Sequence, residues 1–203
     1  MGAMGLEIRE LTPALWPVVE KLFGKNGACG GCWCMFWRLE QGERYTELKG
    51  PALKRRFKAR VTRGKVLGAI AFIDGEPAGW VTYGPRTSFP GLARARTLAC
   101  HDADRVWSIP CFFVRSGFRN RGVASALLGF ATERMPHLGA SVAEGYPLRP
   151  VRAGRPIPAA FRSYTGITTM FEKAGFTQAG SSAYARARMR RQLAAARPPR
   201  AAP

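Results

Sequence analysis

One segment of the chain, residues 106–135, constrains the fold more than any other part of the sequence. It begins as an unbroken apolar run, Val106–Val114, passes through the glycine turn Arg119–Ala124, and continues into a stretch whose apolar residues recur at helical spacing. The unbroken run is typical of a buried strand, and the spacing predicts a helix from Gly122 that ends before Pro136. A strand that turns directly into a helix is typical of a mixed chain, so we expect an α/β (α+β) fold.

The turn between this strand and this helix has the chemistry of an anion site. The first turn of a helix has N–H groups without partners and carries the positive end of the helix dipole. Gly122 and Ala124 leave that backbone uncovered, and Arg119 and Arg121 add positive charge beside it. The segment is therefore suited to binding a diphosphate.

The rest of the pattern predicts a single domain, residues 1–189, followed by an Arg/Ala/Pro-rich flexible tail, residues 190–203. The expected element order is β α α β β β α β α β β, with a further short helix at Ser88–Thr97. The predicted strands are Leu6–Leu11, Val66–Ile73, Pro77–Tyr83, Val106–Val114, Ser141–Tyr146, Phe176–Ala179 and Tyr184–Met189. The predicted long helices are Pro13–Phe23, Thr46–Arg63, Gly122–Met135 and Thr165–Ala174.

The charge balance points to anionic partners. The 203 residues contain 32 Lys and Arg against 13 Asp and Glu, a formal net charge of +19. Such a surface attracts nucleic acid, an anionic membrane face or a phosphate-bearing cofactor. A GC-rich genome that favours Arg, Ala, Gly and Pro would produce the same excess without any such partner.

The location of the protein is predicted from three sequence features. No apolar run is long enough to span a membrane, and the N-terminal residues lack the basic-then-apolar pattern of a signal peptide. The five cysteines are an odd number, and without an export signal they favour a reducing cytoplasm over a disulfide framework. We therefore expect a cytoplasmic protein that does not bind membranes.

Three motifs resemble those of a known family. The stretch Val114–Ala124, VRSGFRNRGVA, resembles the acyl-CoA-binding signature of the GNAT superfamily of N-acyltransferases, and Met170–Phe176, which ends in a Gly-Phe pair, resembles its second signature. The run CWCMFW at residues 32–37 is similar to one actinobacterial-type subgroup. The resemblance extends from Leu6 to about Met189. It implies a mixed, mostly antiparallel sheet that is splayed between its fourth and fifth strands and flanked by helices.

The resemblance also implies a donor site for acetyl-CoA, the acyl-donor co-substrate. The pantetheine would lie in the V between the fourth and fifth strands, along the backbone of the fourth, and the diphosphate would lie on the N–H groups of the glycine turn. Phe171 stands where many members carry a tyrosine that protonates the CoA thiolate. The implied donor-site residues are Phe112, Phe113, Val114, Arg119, Asn120, Arg121, Gly122, Val123, Ala124, Ser125 and Phe171.

The chain departs from the family at the catalytic positions. Phe171 cannot donate a proton, and Ser108–Cys111 contains neither the Glu nor the His that is the base in many members. Glu144 and Tyr146 alternate along the next strand, so we expect both to face the cleft, Glu144 as base and Tyr146 as a partner for the thiolate. In the alternative interpretation, Glu144 pairs with an arginine and Tyr146 packs in the core. Two other donors precede the last helix: Ser163 and Tyr164.

The loop rich in cysteine and tryptophan, residues 29–37, permits three interpretations. Its thiols, Cys29, Cys32 and Cys34, are of the type that binds zinc, but the chain lacks a second paired Cys/His motif, so we expect no metal. The loop is alternatively a packed aromatic core with inert cysteines. In the family this segment borders the acceptor site, where aromatic rings stack on the acceptor. We assign the acceptor site to Trp33, Cys34, Phe36 and Trp37.

These features predict an enzyme, an acetyl-CoA-dependent N-acetyltransferase in which a primary amine attacks the thioester directly. Because the chain has only 13 acidic residues, we expect a small molecule, an amino acid or a peptide N-terminus as acceptor, and not a polycation. A nucleic-acid- or ribosome-associated protein is one alternative, supported by the basic helix at Thr46–Arg63. A non-catalytic acyl-CoA sensor is the other. The sequence neither supports nor excludes a homodimer.

Overall fold

The architecture is a seven-stranded sheet with helices on both faces. The computed structural model describes residues 5–149, 151–152, 155–156, 164–180 and 186–195. The strands are β1 (Leu6–Glu10), β2 (Leu67–Ile73), β3 (Glu76–Pro85), β4 (Val106–Val114), β5 (Val142–Gly145), β6 (Val151–Arg152), β7 (Arg155–Pro156), β8 (Thr177–Gln178) and β9 (Met189–Gln192). The helices are α1 (Trp16–Phe23), α2 (Tyr45–Leu48), α3 (Pro51–Thr62), α4 (Pro90–Arg94), α5 (Val123–Arg134) and α6 (Thr168–Lys173).

The sheet is antiparallel except at its centre. Its strand order is β1-β2-β3-β4-β5-β9-β8, β4 and β5 are its parallel pair, and β6 and β7 form a separate hairpin. The β2–β3 turn has Asp74 and Gly75 at φ 50° and 80°, the left-handed values that a tight hairpin turn requires. The predicted mixed, mostly antiparallel sheet flanked by helices is confirmed.

Two cores sandwich the central strands, which explains why β2 and β3 are apolar on both sides. One core lies under α5 and the other under α1, α3 and the 29–39 loop. A Cβ atom at Gly79 of β3 would lie 2.6 Å from Val123 Cγ1, so glycine there lets α5 approach the sheet closely. That close approach holds the N-terminus of α5 against β3, which pairs with β4, the strand before α5.

The sheet opens between β4 and β5. These strands pair from Val106 and Val142 to Ile109 and Gly145, and the pairing ends there. Beyond that point the segment 164–168 lies between β4 and the continuation of β5. The Phe112 N–H donates to the Tyr164 C=O at 2.8 Å, and the Leu148 N–H donates to the Gly166 C=O at 3.0 Å. The expected splay is therefore present, and this segment spans it.

Three elements differ from those expected. The helix predicted at Thr46–Arg63 is divided into α2 and α3. Residues 184–185 of the strand predicted at Tyr184–Met189, and residues 196–203 of the predicted tail, lie outside the described residues. The strand that is described in this region is β9, Met189–Gln192, which pairs with β5 and crosses the predicted boundary between the domain and the tail. The predicted helix at Ser88–Thr97 is reduced to α4 between two 3-10 turns. No helix among the described residues is both long and apolar enough to cross a membrane.

Candidate active site

The first cavity of the site is the donor cleft, which lies between the end of β4, the N-terminus of α5 and the start of α6. Eight of the predicted donor-site residues line it, together with residues from the turn before α5 and from the start of α6. The full lining is Phe112, Val114, Phe118, Arg119, Asn120, Gly122, Val123, Ala124, Ser125, Gly166, Ile167 and Met170.

The glycine turn exposes backbone donors to this cleft. Asn120 and Gly122 have φ values of 60° and 76°, so the chain bends sharply before the helix begins. No side chain caps α5, and a Cβ at Gly122 would meet nothing within 4 Å. The N–H groups of the first helical turn therefore face open space, where the helix dipole favours an anion.

The two arginines of the turn lie at its surface. Arg119 is exposed and its Nε donates to the Val114 C=O at 3.2 Å, whereas the exposed Arg121 lies 5.9 Å from the ring centroid of Phe118. Arg121 is not among the residues that line the cleft, so it adds positive charge near the turn but does not contact the cavity.

Two other predicted donor-site residues lie outside the cleft. The Phe113 side chain packs into the opposite core, and its ring centroid lies 5.8 Å from that of Phe23. The backbone N–H of Phe112 faces the splay, so the backbone N–H of Phe113 faces β3. Phe171 is fully buried and packs edge-on against Phe112 and Phe176. The sequence assigned both to the donor site, and the structure places their side chains in the two cores.

The second cavity, which we call the thiol pocket, has a volume of about 140 Å³. Cys34, Phe36 and Trp37, three of the four predicted acceptor residues, line it. The full lining is Cys29, Gly30, Cys32, Cys34, Phe36, Trp37, Tyr45, Thr82, Phe89, Pro110, Cys111 and Tyr164.

Trp33 does not line the thiol pocket. It is buried in the core under α1, with ring centroids 6.1 Å from Trp16 and 5.7 Å from Phe23. Its φ of 45° turns this side chain into the core while Cys34 and Phe36 line the cavity. The assignment of Trp33 to the acceptor site is therefore corrected to a core residue.

The two cavities share a wall. Cys111 lines the thiol pocket and Phe112, the next residue of β4, lines the donor cleft. Tyr164 lines the pocket, and its backbone C=O accepts the Phe112 N–H. A smaller cavity between them is lined by all three residues. Of the two alternative proton donors, Tyr164 lies at this junction, and Ser163 lies outside the described residues.

Glu144 and Tyr146 form a buried network and line neither large cavity. Glu144 is fully buried and accepts hydrogen bonds from three arginines: Arg86 at 2.5 Å, Arg190 at 2.6 Å and Arg188 at 3.5 Å. The fully buried Tyr146 hydroxyl lies 2.6 Å from Ser108 Oγ and 2.8 Å from Glu144 Oε1. Burial, followed by the Glu144 charge, raises the pKa of Tyr146 well above its usual value.

This geometry favours the structural alternative for both residues. A carboxylate that is dry and bound by three guanidinium groups has no access to an acceptor amine, and a tyrosine with a raised pKa inside that network has no access to a thiolate. The predicted roles of Glu144 as base and Tyr146 as thiolate partner are therefore corrected. The residues that sequence reasoning missed, such as Thr82, Phe89 and Cys111, belong to other elements, and no local motif connects them to the loop.

The described part of the chain has no group of three or more His, Cys, Asp or Glu side chains placed to hold a metal ion. Cys32 and Cys34 instead face the thiol pocket with Cys111.

The fold is shared with solved acetyltransferases. An N-acetyltransferase from Staphylococcus aureus Mu50 matches with a TM-score of 0.55 at 14% identity, over 94% of this chain and 99% of that one. The GNAT domain of PAT from S. lividans matches at 0.54 and 18% identity, over 93% and 90%. The GNAT N-acetyltransferase YhbS from Escherichia coli matches at 0.51 and 14% identity, over 96% and 84%. At these identities the likeness shows the fold alone.

No curated protein sequence matches the chain. A family model, described as the Acetyltransferase (GNAT) family, matches residues 33–144, which is more than half of the 203 residues and includes residues 33–37 of the cysteine- and tryptophan-rich loop, β4 and the glycine turn. The chain therefore belongs to the GNAT acetyltransferase family.

Proposed function

We propose that this protein transfers the acetyl group of acetyl-CoA to the primary amine of a small molecule, an amino acid or a peptide N-terminus, by direct attack of the amine on the thioester. The observation that carries the proposal is the wall of Cys111, Phe112 and Tyr164 that the donor cleft shares with the thiol pocket. Because Cys111 and Phe112 are adjacent residues of β4, a thioester bound beside Phe112 lies next to an amine bound beside Cys111. Positioning of this kind supplies most of the acceleration that an acyl transfer needs.

The donor cleft binds the diphosphate at the first turn of α5. Its N–H groups and the charges of Arg119 and Arg121 hold the anion, and the pantetheine runs along β4 towards Phe112. The Phe112 N–H donates to the Tyr164 C=O, so the entering pantetheine exchanges that hydrogen bond for one of its own. YhbS, which has the same fold, was crystallised in complex with CoA, and this supports the assignment of the donor.

The uncharged, aromatic lining of the thiol pocket selects which acceptor can bind. Its lining residues include five aromatic rings and no carboxylate or cationic side chain. A polycation buried there would lose its hydration without gaining a counter-charge, which costs several kcal/mol. A monoamine with an apolar or aromatic body stacks on the rings instead. The acceptor is accordingly an amine of low charge.

The experiment that tests the donor site is calorimetric titration of acetyl-CoA into the wild type, Gly122→Asp and Gly122→Asn. Asp and Asn have nearly the same shape, and both tolerate a left-handed backbone better than most residues, so the pair separates charge from strain. We expect the wild type and Gly122→Asn to bind and Gly122→Asp to bind at least tenfold more weakly. At 100 times its dissociation constant, acetyl-CoA adds about 2.7 kcal/mol of stability, which a melting curve also detects.

The result that contradicts the donor site is equal binding by the Asp and Asn variants, or no binding by the wild type. With the donor established, an amine panel followed by release of free CoA thiol tests the acceptor. We expect aromatic monoamines to be acetylated faster than polyamines, and the reverse order would overturn the acceptor class.

A further inference from the structure

A separate cavity lies between the C-terminal half of α3 and residues 35–43, and we call it the arginine cavity. Its volume is about 440 Å³, and it shares no lining residue with the donor cleft or the thiol pocket. Its positively charged lining residues are Arg38, Arg56, Arg60, Arg63 and Lys65. Five cations on one concave surface attract an anion unless carboxylates of the protein neutralise them.

Two carboxylates also line the arginine cavity, and both already have partners. Glu43 forms an ion pair with Arg56 and accepts a hydrogen bond from the Glu40 backbone N–H at 2.8 Å. A carboxylate oxygen of Glu40 lies 4.0 Å from a guanidinium nitrogen of Arg60. These two glutamates therefore account for two of the five cations.

The other three cations, Arg38, Arg63 and Lys65, form no ion pair with any carboxylate that the structure describes. Arg63 and Lys65 are exposed, and their side chains make no hydrogen bond with a described residue. Both can therefore turn towards a ligand in the cavity without breaking a contact.

Arg38 differs from the other two because it is buried. It is 2% exposed, and its guanidinium donates to Thr82 Oγ1 at 3.1 Å and to the Ser88 C=O at 3.3 Å. Both of these acceptors are neutral, and Nε has no hydrogen-bond partner. A buried guanidinium without a counter-charge is costly, so negative charge in the cavity that Arg38 lines would stabilise it.

The dipole of α3 explains only part of this arrangement. Arg60 and Arg63 lie in the last turn and at the C-cap of the helix, where a cation is favourable whether or not a ligand binds. Arg38 belongs instead to the 3-10 turn Phe36–Arg38 and lies inside the protein. The helix dipole therefore accounts for the exposed cations and not for the buried one.

We propose that the arginine cavity binds a phosphate group, free or carried by a small molecule. A phosphate monoester has a charge of about −1.5 to −2 at neutral pH and three strong acceptor oxygens, so it balances more of the three unpaired cations than one carboxylate does. Guanidinium groups also match phosphate oxygens in paired hydrogen bonds. Because the cavity shares no wall with the two catalytic cavities, the site does not depend on the proposed acetyl transfer.

Calorimetric titration with inorganic phosphate at constant, physiological ionic strength tests the site. The test variant is Arg63→Gln/Lys65→Gln, and the matched control is Lys49→Gln/Arg55→Gln, which removes the same charge from exposed positions outside the cavity. We expect the control to bind phosphate within about twofold of the wild type and the test variant to bind at least about tenfold more weakly. Equal weakening in both variants would show attraction by the overall charge and would overturn the proposal.

The glycine turn before α5 is a second place where phosphate can bind, so the titration is repeated with Gly122→Asp. Binding that survives in Gly122→Asp and is lost in Arg63→Gln/Lys65→Gln belongs to the arginine cavity. If Gly122→Asp binds no phosphate, the wild-type signal comes from the donor cleft and the proposal is wrong. Failure of the wild type to bind acetyl-CoA would count against the proposed function, and not against this site.

The buried cation has its own readout. In the Gly122→Asp background, we expect phosphate to raise the melting temperature when Arg38 is present and to leave it unchanged in the additional variant Arg38→Met. An equal rise in both proteins contradicts the role of Arg38. If Arg38→Met does not fold, the exposed Arg63→Gln/Lys65→Gln variant still decides the test.

Two further ligands identify the source of the phosphate group. Glycerol 3-phosphate that binds more tightly than inorganic phosphate assigns the cavity to a phosphate ester, and equal binding assigns it to free phosphate. Acetate that binds as tightly as phosphate would overturn the ligand class.

Discussion

At the scale of single residues, Glu144 connects segments that are distant in sequence. Its carboxylate binds Arg86 from the loop before α4 and Arg188 and Arg190 from the last strand region. Arg190 also makes two hydrogen bonds with Asp102, at 2.7 and 2.8 Å. Arg86 and Arg188 thus depend on this one carboxylate, and its loss leaves both of them without a counter-charge, whereas Arg190 keeps Asp102.

We therefore expect Glu144→Gln to lower the free energy of unfolding by about 3–5 kcal/mol. Urea denaturation measures this change, with the exposed Glu172→Gln as a control that stays within about 0.5 kcal/mol of the wild type. Folded Glu144→Gln should retain the wild-type pH profile. A variant of unchanged stability whose kcat falls a hundredfold would restore Glu144 as a catalytic base.

We propose Tyr164 as the group that protonates the leaving thiolate. It is half-buried at the wall between the two cavities. We expect Tyr164→Phe to lower kcat by about tenfold to a hundredfold with natural acetyl-CoA, a modest loss because CoA thiolate leaves readily. Because the backbone C=O that binds Phe112 is retained, the affinity for acetyl-CoA should not change. An unchanged kcat would show that the thiolate leaves unaided.

At the scale of elements, what is local in sequence was predictable and what is brought together by the fold was not. The strand, glycine turn and helix of residues 106–135 are continuous, so pattern and capping chemistry sufficed. The segment 164–168 enters the splay through hydrogen bonds to Phe112 and Leu148, and no periodicity encodes such a contact.

The side-chain directions in the loop at residues 29–37 could not be predicted from the sequence either. Trp33 and Cys34 both have positive φ values, so the direction of successive side chains follows neither strand nor helix periodicity. The sequence predicted that this loop borders the acceptor site, but it could not separate the core residue Trp33 from the residues that line the thiol pocket. Arg190 and Arg191, which have the composition of a tail, belong to β9 because Glu144 and Asp102 bind Arg190.

The helix α3 stabilises the wall behind the thiol pocket through one apolar face. Phe57 is fully buried and stacks on Phe23 with ring centroids 6.1 Å apart, and it meets Trp80 edge-on at 6.1 Å. We expect Phe57→Ala to lower the free energy of unfolding by about 3–5 kcal/mol because it leaves a cavity. Chemical denaturation measures this loss, and the exposed Arg55→Ala on the same helix should change it by less than about 0.5 kcal/mol. Equal effects would mean that the basic face, and not the apolar one, anchors α3.

At the scale of the whole molecule, we expect the net charge of +19 to act on the donor more than on the acceptor. Among the residues that the structure describes, no carboxylate, lysine or arginine lines the thiol pocket, whereas the glycine turn is open and flanked by arginines. The basic helix α3 turns its aromatic residue inwards, so it offers no ring on which a base could stack. The positive field is therefore better suited to attracting a phosphate-bearing cofactor than to reading single-stranded nucleic acid.

This interpretation predicts how salt affects catalysis. Long-range attraction accelerates association of an oppositely charged ligand and is screened beyond about 8 Å at physiological ionic strength. We expect the association rate constant for acetyl-CoA, measured by stopped-flow fluorescence, to fall about tenfold or more as salt rises from low to physiological levels. S-acetylpantetheine has the same thioester and no phosphates, so its association should hardly change. If both ligands lose the same factor, salt acts on the protein itself and the positive surface has no part in capturing the donor.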